Sequence, residues 1–249
     1  MISAADARAI ELATLAATPP RERVEDDGWI LAANGGAIGR ANSVTPLFAG
    51  VDPIDAKIDR AVAFYRTRGL GPAFRVSRFA RPEGLSERLA ALGFVKDADT
   101  SVETAEARDV AAIEAPSHEV VRTSAPGPDW LDVFLASSDE PATVQKLRLE
   151  TLARAETSGF YSVRIDERIV AVGVGAVDPS GFAGMHGMRT IQAARRTGCA
   201  RAIVRAAAHS ALAQGATRLF LQVEVANAPA RALYRALGFA QAYTYAYWR

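Results

Sequence analysis

Apolar residues recur at two periods along the chain, and the alternation between those periods divides it into helices and strands. "AADARAIELATLAATPP" keeps a helical period and stops at Pro19 and Pro20, which offer no amide donor. "GWILAANGGAIGRANSVTPL" predicts two strands joined at Asn34-Gly35-Gly36, residues that tolerate positive φ. In "DPIDAKIDRAVAFYRTRG" the positions Ile54, Ile58, Ala61, Val62 and Tyr65 share one helical face, with Asp52 and Asp55 as N-terminal caps and Gly69 as the C-terminal cap. A short strand "AFRVSRF", a short helix "GLSERLAALGF" and a strand "TSVETAE" follow. Residues 105–117 are polar and reach Pro116, which sets the expected boundary between a first unit, 1–116, and a second, 117–249.

The second unit opens with the strand "HEVVRT", and helical patterns cover Asp129–Ser137 and Pro141–Glu156. "GFYSVRID" and "RIVAVGVGAV" form a hairpin at Asp166-Glu167, and "FAGMHGMRTI" is a further strand. A helix then runs to Gly215, and "TRLFLQVEV" alternates Leu219, Leu221, Val223 and Val225 as a half-buried strand does. Residues 230–237 are helical and "QAYTYAYWR" is β-prone. "ALGF" occurs at 91–94 and again at 236–239, each time closing a short helix before a strand, and the element order upstream also repeats. The expected class is therefore α+β, a mixed α/β sheet built as a tandem.

Composition narrows the possible functions. With 249 residues, 49% hydrophobic, the chain can bury one large core or two ordinary ones. Its net charge of +1 argues against bulk binding to nucleic acid or a membrane surface. One cysteine and three histidines leave neither a disulfide framework nor a clustered metal site, so no metal is expected. The first residues carry acids and no basic leader, which makes the expected location cytoplasmic.

Local charge is another matter. Between Pro179 and Val223 the chain has six arginines and no acid, and "RRTGCARA" stands where the long helix begins. The first amides of a helix have no internal partner and lie at the positive end of its dipole, so such a terminus suits an anion. Glycine there lets a bulky diphosphate reach the backbone. A solvated arginine-rich helix start would look the same from these residues alone.

"RRTGCA" between a strand and a helix resembles the Arg/Gln-x-x-Gly-x-Gly/Ala signature of the GNAT superfamily of N-acetyltransferases, and "VEVANAPARALYRALGF" follows at the spacing seen in that family. The resemblance spans roughly residues 118–249. Ala200 replaces a frequent glycine, and Gln192 a frequent proline. The resemblance implies a mostly antiparallel central sheet, splayed at the cofactor-binding strands and flanked by helices. It further implies acetyl-CoA as cofactor, with the backbone of Met188, Arg189 and Thr190 along pantetheine. Arg195, Arg196, Thr197, Gly198, Cys199, Ala200 and Arg201 would hold the diphosphate, and Asn227 would lie near the cofactor arm. Tyr234 would be the acid serving the leaving thiolate as an amine attacks directly. On periodicity alone Tyr234 belongs to an ordinary buried stripe with Ala230, Leu233 and Leu237. Glu224, polar on the face opposite Val223 and Val225, and then His186 are the candidates for a base.

The first unit reads as a degenerate GNAT-like copy, and "GRANSVTP" resembles the N-terminal halves of two-part acetyltransferases. Where a diphosphate loop should stand it has "FAGVDPIDAK", with two carboxylates, and Leu89 aligns with Tyr234. It is expected not to bind coenzyme A and to wall off the acceptor site or support the fold. "RTRGLG" at 66–71 also fits the signature but ends a helix, where phosphate is repelled. Expected acceptors are a small-molecule amine or a peptide N-terminus, with no nucleic acid and no membrane as partner. The expected assembly is a monomer or weak homodimer. A non-catalytic CoA sensor, or transfer of a longer acyl group, stays open as an alternative.

Overall fold

The computed structural model describes residues 2–114, 116–136 and 140–249. The first elements are helix α1 (Ala4–Ala17), strands β1 (Glu22–Asp26), β2 (Trp29–Ala33) and β3 (Val44–Pro46), helix α2 (Ile54–Arg66), strand β4 (Phe74–Ser77), helix α3 (Leu85–Ala91), strand β5 (Thr100–Glu106) and helix α4 (Ala107–Ala111). Strand β6 (Val120–Thr123), helices α5 (Pro128–Ala136) and α6 (Ala142–Ala153), and strands β7 (Ser158–Ile165), β8 (Arg168–Val177) and β9 (Phe182–Thr190) come next. Helix α7 (Cys199–Ala213), strand β10 (Arg218–Glu224), helix α8 (Ala228–Ala236) and strand β11 (Ala240–Trp248) complete the order.

All eleven strands lie in one sheet, ordered β1-β2-β3-β4-β11-β5-β10-β9-β8-β7-β6. Among the described residues, only β3–β4 and β9–β10 pair in parallel. The order has a near two-fold repeat about the β11–β5 ladder. β4 faces β11 as β10 faces β5, so each sequence half gives its last strand to the other half's sheet. The "ALGF" repeat carries into backbone geometry: Phe94 N–H donates to Leu89 C=O and Phe239 N–H to Tyr234 C=O, both at 3.0 Å, past glycines with positive φ.

Alternation along β11 sorts the packing layers. Tyr243 and Tyr245 meet Ala7, Ile10 and Ala13 of α1 on one face, while Trp248 joins the α2/α3 core on the other. α4, α7 and α8 share that second face, where Val110, Ile203, Ala207 and Leu237 form the largest core. α5 and α6 lie on the α1 face, with Trp130 stacked on Phe134 at 5.3 Å.

Several local expectations are corrected. The tight hairpin lies at Asp27-Gly28, with φ of 45° and 83°, and joins β2 to β1, "ERVED", a mostly exposed strand with no apolar alternation to reveal it. Asn34-Gly35-Gly36 instead starts a ten-residue loop with a 3-10 turn at Gly39–Ala41, and β3 is short. Asp52 and Asp55 do not cap α2; Pro53 holds that position, and the two acids pair with Arg60 at 2.9 Å and with Arg88. The polar stretch from residue 105 ends β5 and then forms α4, whose Ala107, Val110 and Ala111 are buried.

The Asp27 turn is held from several sides. Its carboxylate accepts from the N–H groups of Val51 and Asp52 at 2.9–3.1 Å and faces the buried Lys57 ammonium at 3.1 Å. Those amides, and then Lys57, lower its pKa from 3.8 to about 2. A group depressed on folding adds stability that is complete above its unfolded value and disappears as pH falls through its folded value. Asp27→Asn should therefore lower the urea midpoint at pH 7, and the gap to wild type should narrow below pH 4. A constant gap from pH 7 to pH 3 would contradict this assignment.

Candidate active site

β9 and β10 pair in parallel from Phe182/Arg218 to Met185/Leu221 and then separate. Beyond that point β9 continues to Thr190 and β10 to Glu224 with no ladder between them. On its other side β9 meets β8 through a bulge: two steps of β8, from Val172 to Val174, oppose three steps of β9, from Arg189 back to His186. Gly187, at φ 60°, takes up that extra residue. The result is an open V in the sheet whose β9 edge offers backbone groups without a strand partner.

A cavity of about 480 Å³ runs through this V. Met188 and Tyr234 reach it from the α7/α8 face, where both pack against that core. From the α1/α5 face it is lined by His186, Arg189, Gln222 and Glu224, by Arg148 of α6, and by Arg40, Tyr245 and Tyr247 from the first half and β11. Gln222 anchors the join: its Oε1 accepts from Arg40 Nη1 and the Tyr245 hydroxyl, each at 3.0 Å, and its Nε2 donates to Thr14 at 2.9 Å. Gly39 has to be glycine here, because a Cβ would come within 2.8 Å of the Tyr247 ring.

Of the residues read from sequence as lining this region, Tyr234, Glu224, Asn227, Met188 and Arg189 meet at the cavity. Burial, and then the Glu103 carboxylate, push the Tyr234 phenol up to about 12 against the opposing charge of Arg189. Glu224 is exposed at the outer end of β10. Asn227 caps α8, its side chain accepting from Ala230 N–H at 3.2 Å. Arg189 lies over the Phe134 ring at 5.3 Å, so its side chain points to the face away from Met188. His186 is 4% exposed, and neither ring nitrogen has a hydrogen-bond partner. Burial lowers its pKa to about 3, which makes it a neutral ring and a poor base at ordinary pH.

The second group of residues forms the loop from β9 into α7. Thr190 pairs with Ala171, and Arg195 Nε donates to Thr190 C=O at 3.4 Å. Arg196 takes φ 68° and Gly198 φ 89°, with Gly198 as the N-cap of α7. Thr197 Oγ1 donates to Ala194 C=O at 2.7 Å, Cys199 is buried, and Arg201 Nη1 reaches Glu114 C=O at 3.3 Å. Ala200 lies in the first turn, which contains no acid, and Arg195 and Arg196 are exposed beside it. Two positive φ values turn the loop back so that it meets the start of α7 next to the end of the open β9 edge.

Sequence reasoning missed Arg40, Arg148, Gln222, Tyr245 and Tyr247. Gln222 carried a signal, as a polar residue within the alternating strand beside Glu224. The others gave none: Arg40 reaches the cavity from the loop after β2, Tyr245 and Tyr247 from the exchanged strand, and Arg148 from α6, whose place over the sheet is set by tertiary packing. Among the described residues, no group of three or more His, Cys, Asp or Glu side chains could hold a metal ion, and no helix is long and apolar enough to cross a membrane.

Residues 4–248 match the family described as "Probable histone acetyltransferase Rv0428c C-terminal". The chain is 29% identical over 240 residues to the uncharacterized N-acetyltransferase YobR of Bacillus subtilis (strain 168), covering 94% of each. A GCN5-related N-acetyltransferase from Kribbella flavida superposes with a TM-score of 0.68 at 17% identity, over 99% of this chain and 95% of that one. A tandem GNAT protein from the clavulanic acid biosynthesis pathway superposes with a TM-score of 0.62 at 15% identity, over 78% of this chain and 68% of that one. With the splayed sheet and the family match both in place, the chain belongs to the Rv0428c C-terminal acetyltransferase family and is a GNAT-fold N-acetyltransferase.

Proposed function

We propose that the second half, 117–249, transfers acetyl from acetyl-CoA to an amine that enters from the α1/α5 face, and that the first half supplies one wall and no second cofactor site. The observation that carries this reading is the continuity of the open V with the α7 loop. An extended chain with a thioester at one end and a diphosphate at the other fits an unpaired strand edge that leads to a helix N-terminus lined by arginines. In this reading the backbone of Met188, Arg189 and Thr190 pairs with the pantetheine amides, and Arg195 to Arg201 hold the diphosphate. When bound, the thioester supplies an activated acyl group. Backbone N–H groups at the Gly187 bulge can stabilise the oxyanion, and the protonated Tyr234 faces the departing sulfur. Glu224, at the open rim, is a proton acceptor for the incoming ammonium through water. Asn227 orders α8 and so sets the position of Tyr234.

The corresponding V of the first half supports the negative part of the proposal. β3 and β4 share one paired position, Val44/Phe74, and then diverge. Their gap is filled by Arg75, ion-paired to Glu11 of α1, with Thr45 at 3.2 Å, and the remaining cavity is about 10 Å³.

Titration of acetyl-CoA and CoA into wild type and an Arg196→Glu/Gly198→Asp variant tests the reading. One site per chain in wild type, and affinity weakened at least about 100-fold in the variant, is the expected result, since two charges and a positive-φ glycine change together. A Cβ at Gly198 would also meet Pro116, so the variant's melting temperature should be recorded alongside. Two sites per chain, or unchanged affinity, would refute it.

A further inference from the structure

The acceptor side of the cavity has an unbalanced charge. Its lining contains three guanidinium groups, Arg40, Arg148 and Arg189, against the single carboxylate of Glu224 at the rim. Arg148 is matched by Glu140 at 2.6 Å. Arg40 and Arg189 form no salt bridge among the described residues, and the Nε of each is buried without a hydrogen-bond partner; Glu140, already paired to Arg148, is the one carboxylate near enough to act on Arg189. Arg40 has one side-chain partner, the neutral Gln222, and Arg189 donates only to the C=O of its neighbour Met188. The buried and unpartnered His186 ring lies on the same face. Both arginines are half-buried, and holding a partly desolvated charge with less than a full counter-charge is costly, so such a site is suited to a ligand of opposite sign.

We propose that the acceptor is an amine bearing its own carboxylate, in the simplest case a free α-amino acid, and that Arg40 and Arg189 receive that carboxylate. The proposal rests on the acetyl-transfer reading above and names the substrate class for the same site. Size favours a small molecule, because the cavity of about 480 Å³ has to take the thioester end and the acceptor together. Position favours one whose amine and carboxylate are close, because Arg189 lies on the strand edge that bounds the thioester gap. Phe134, Leu152 and the two tyrosines leave an apolar wall for the rest of the molecule. A lysine-rich peptide or a polyamine would instead bring positive charge against three guanidiniums that outnumber the carboxylates of Glu224 and Glu140. Arg40 comes from the first half, so that half would take part directly in choosing the substrate.

The test is a matched panel with acetyl-CoA and release of free CoA thiol as the readout. It pairs L-alanine, L-leucine and L-phenylalanine with their primary amides, and adds putrescine and a lysine-rich peptide. Each acid should exceed its amide in kcat/KM by about 10- to 100-fold, the range of one hydrogen bond to a charged group. In Arg40→Met and Arg189→Met that ratio should collapse toward one, mainly through KM for the acid, while Arg40→Lys should retain part of it. Calorimetry gives a readout independent of turnover. N-acetyl-L-leucine should bind the CoA-loaded wild type, and its amide, or the acid with Arg40→Met, should bind at least about tenfold more weakly. Amides, putrescine or the peptide outranking the acids while acetyl-CoA still binds would overturn the inference and leave the acetyl-transfer reading standing. Absence of acetyl-CoA binding would remove both.

Discussion

Tyr234→Phe is expected to lower kcat by about 10²- to 10³-fold while acetyl-CoA affinity stays within a few-fold of wild type. The magnitude follows from the acidity of the phenol. Its pKa is pushed up to about 12, chiefly by burial, whereas an ordinary thiol ionises near 8.5. Complete proton transfer from Tyr234 to a departing thiolate is therefore uphill by several units, and the step that gains is donation of a hydrogen bond as charge builds on sulfur. Loss of one fixed donor at the point where charge develops has that range of effect. The same shift predicts the pH profile. Tyr234 keeps its proton to well above pH 10, so wild-type kcat should rise as the amine deprotonates and then hold level through pH 10. A descending limb near pH 10, or a variant with unchanged kcat, would remove Tyr234 from the acid role. A CoA sensor would show no rate to lose.

The second large effect concerns stability and lies in the other half. Glu11→Ala is expected to destabilise the fold by about 3–5 kcal/mol, because it leaves the buried Arg75 guanidinium without its counter-charge. For a chain of this size that is a fall in Tm of roughly 10 °C. Arg75 is 3% exposed and Glu11 7%, and the Tyr243 hydroxyl donates to Glu11 at 2.7 Å, so water cannot replace the lost carboxylate readily. Replacing both partners, Glu11→Leu with Arg75→Met, should recover most of the loss, since a matched apolar pair has no stranded charge. Calorimetric melting of Glu11→Leu, Arg75→Met and the double variant forms the cycle that measures the coupling. Additive losses would show that the pair does not act as a unit. Neither variant should create a second acetyl-CoA site, because Asp52 and Asp55 remain at the loop and Leu89 stands where the other half has Tyr234.

Sequence reasoning works best where a signal is local. The α7 loop was legible because its glycine, its arginines and the following alanine-rich run are contiguous, and the helix indeed begins at Cys199 behind Gly198. The hairpin at Asp166-Glu167 was equally plain, and both residues take positive φ there. β1 was invisible because an exposed edge strand needs no apolar alternation, and "ERVED" has none. Strand order was out of reach for a different reason. β5 and β11 have ordinary strand sequences, and nothing in "TSVETAE" or "QAYTYAYWR" says which neighbour each one joins. The cavity wall on the α1 face inherits that gap in legibility: Arg40 meets Gln222 across 182 positions of sequence, in a sheet joined through the exchanged strands.

That exchange also constrains the order in which the molecule can be completed during synthesis. β4 and β5 both wait for β11 to lie between them, and β11 spans 240–248. Until those residues have been made, the first half holds two strands with open edges, exposed to any passing strand. The nascent chain must therefore carry an unfinished sheet through most of translation, and a ribosome that stalls between β10 and β11 leaves two fragments of a sheet, β1–β4 and β5 with β6–β10, in place of one. Once 240–248 emerge, a single insertion next to β5 closes both halves together, and the cavity of the open V, with Tyr245 and Tyr247 in its wall, comes into being in that same step.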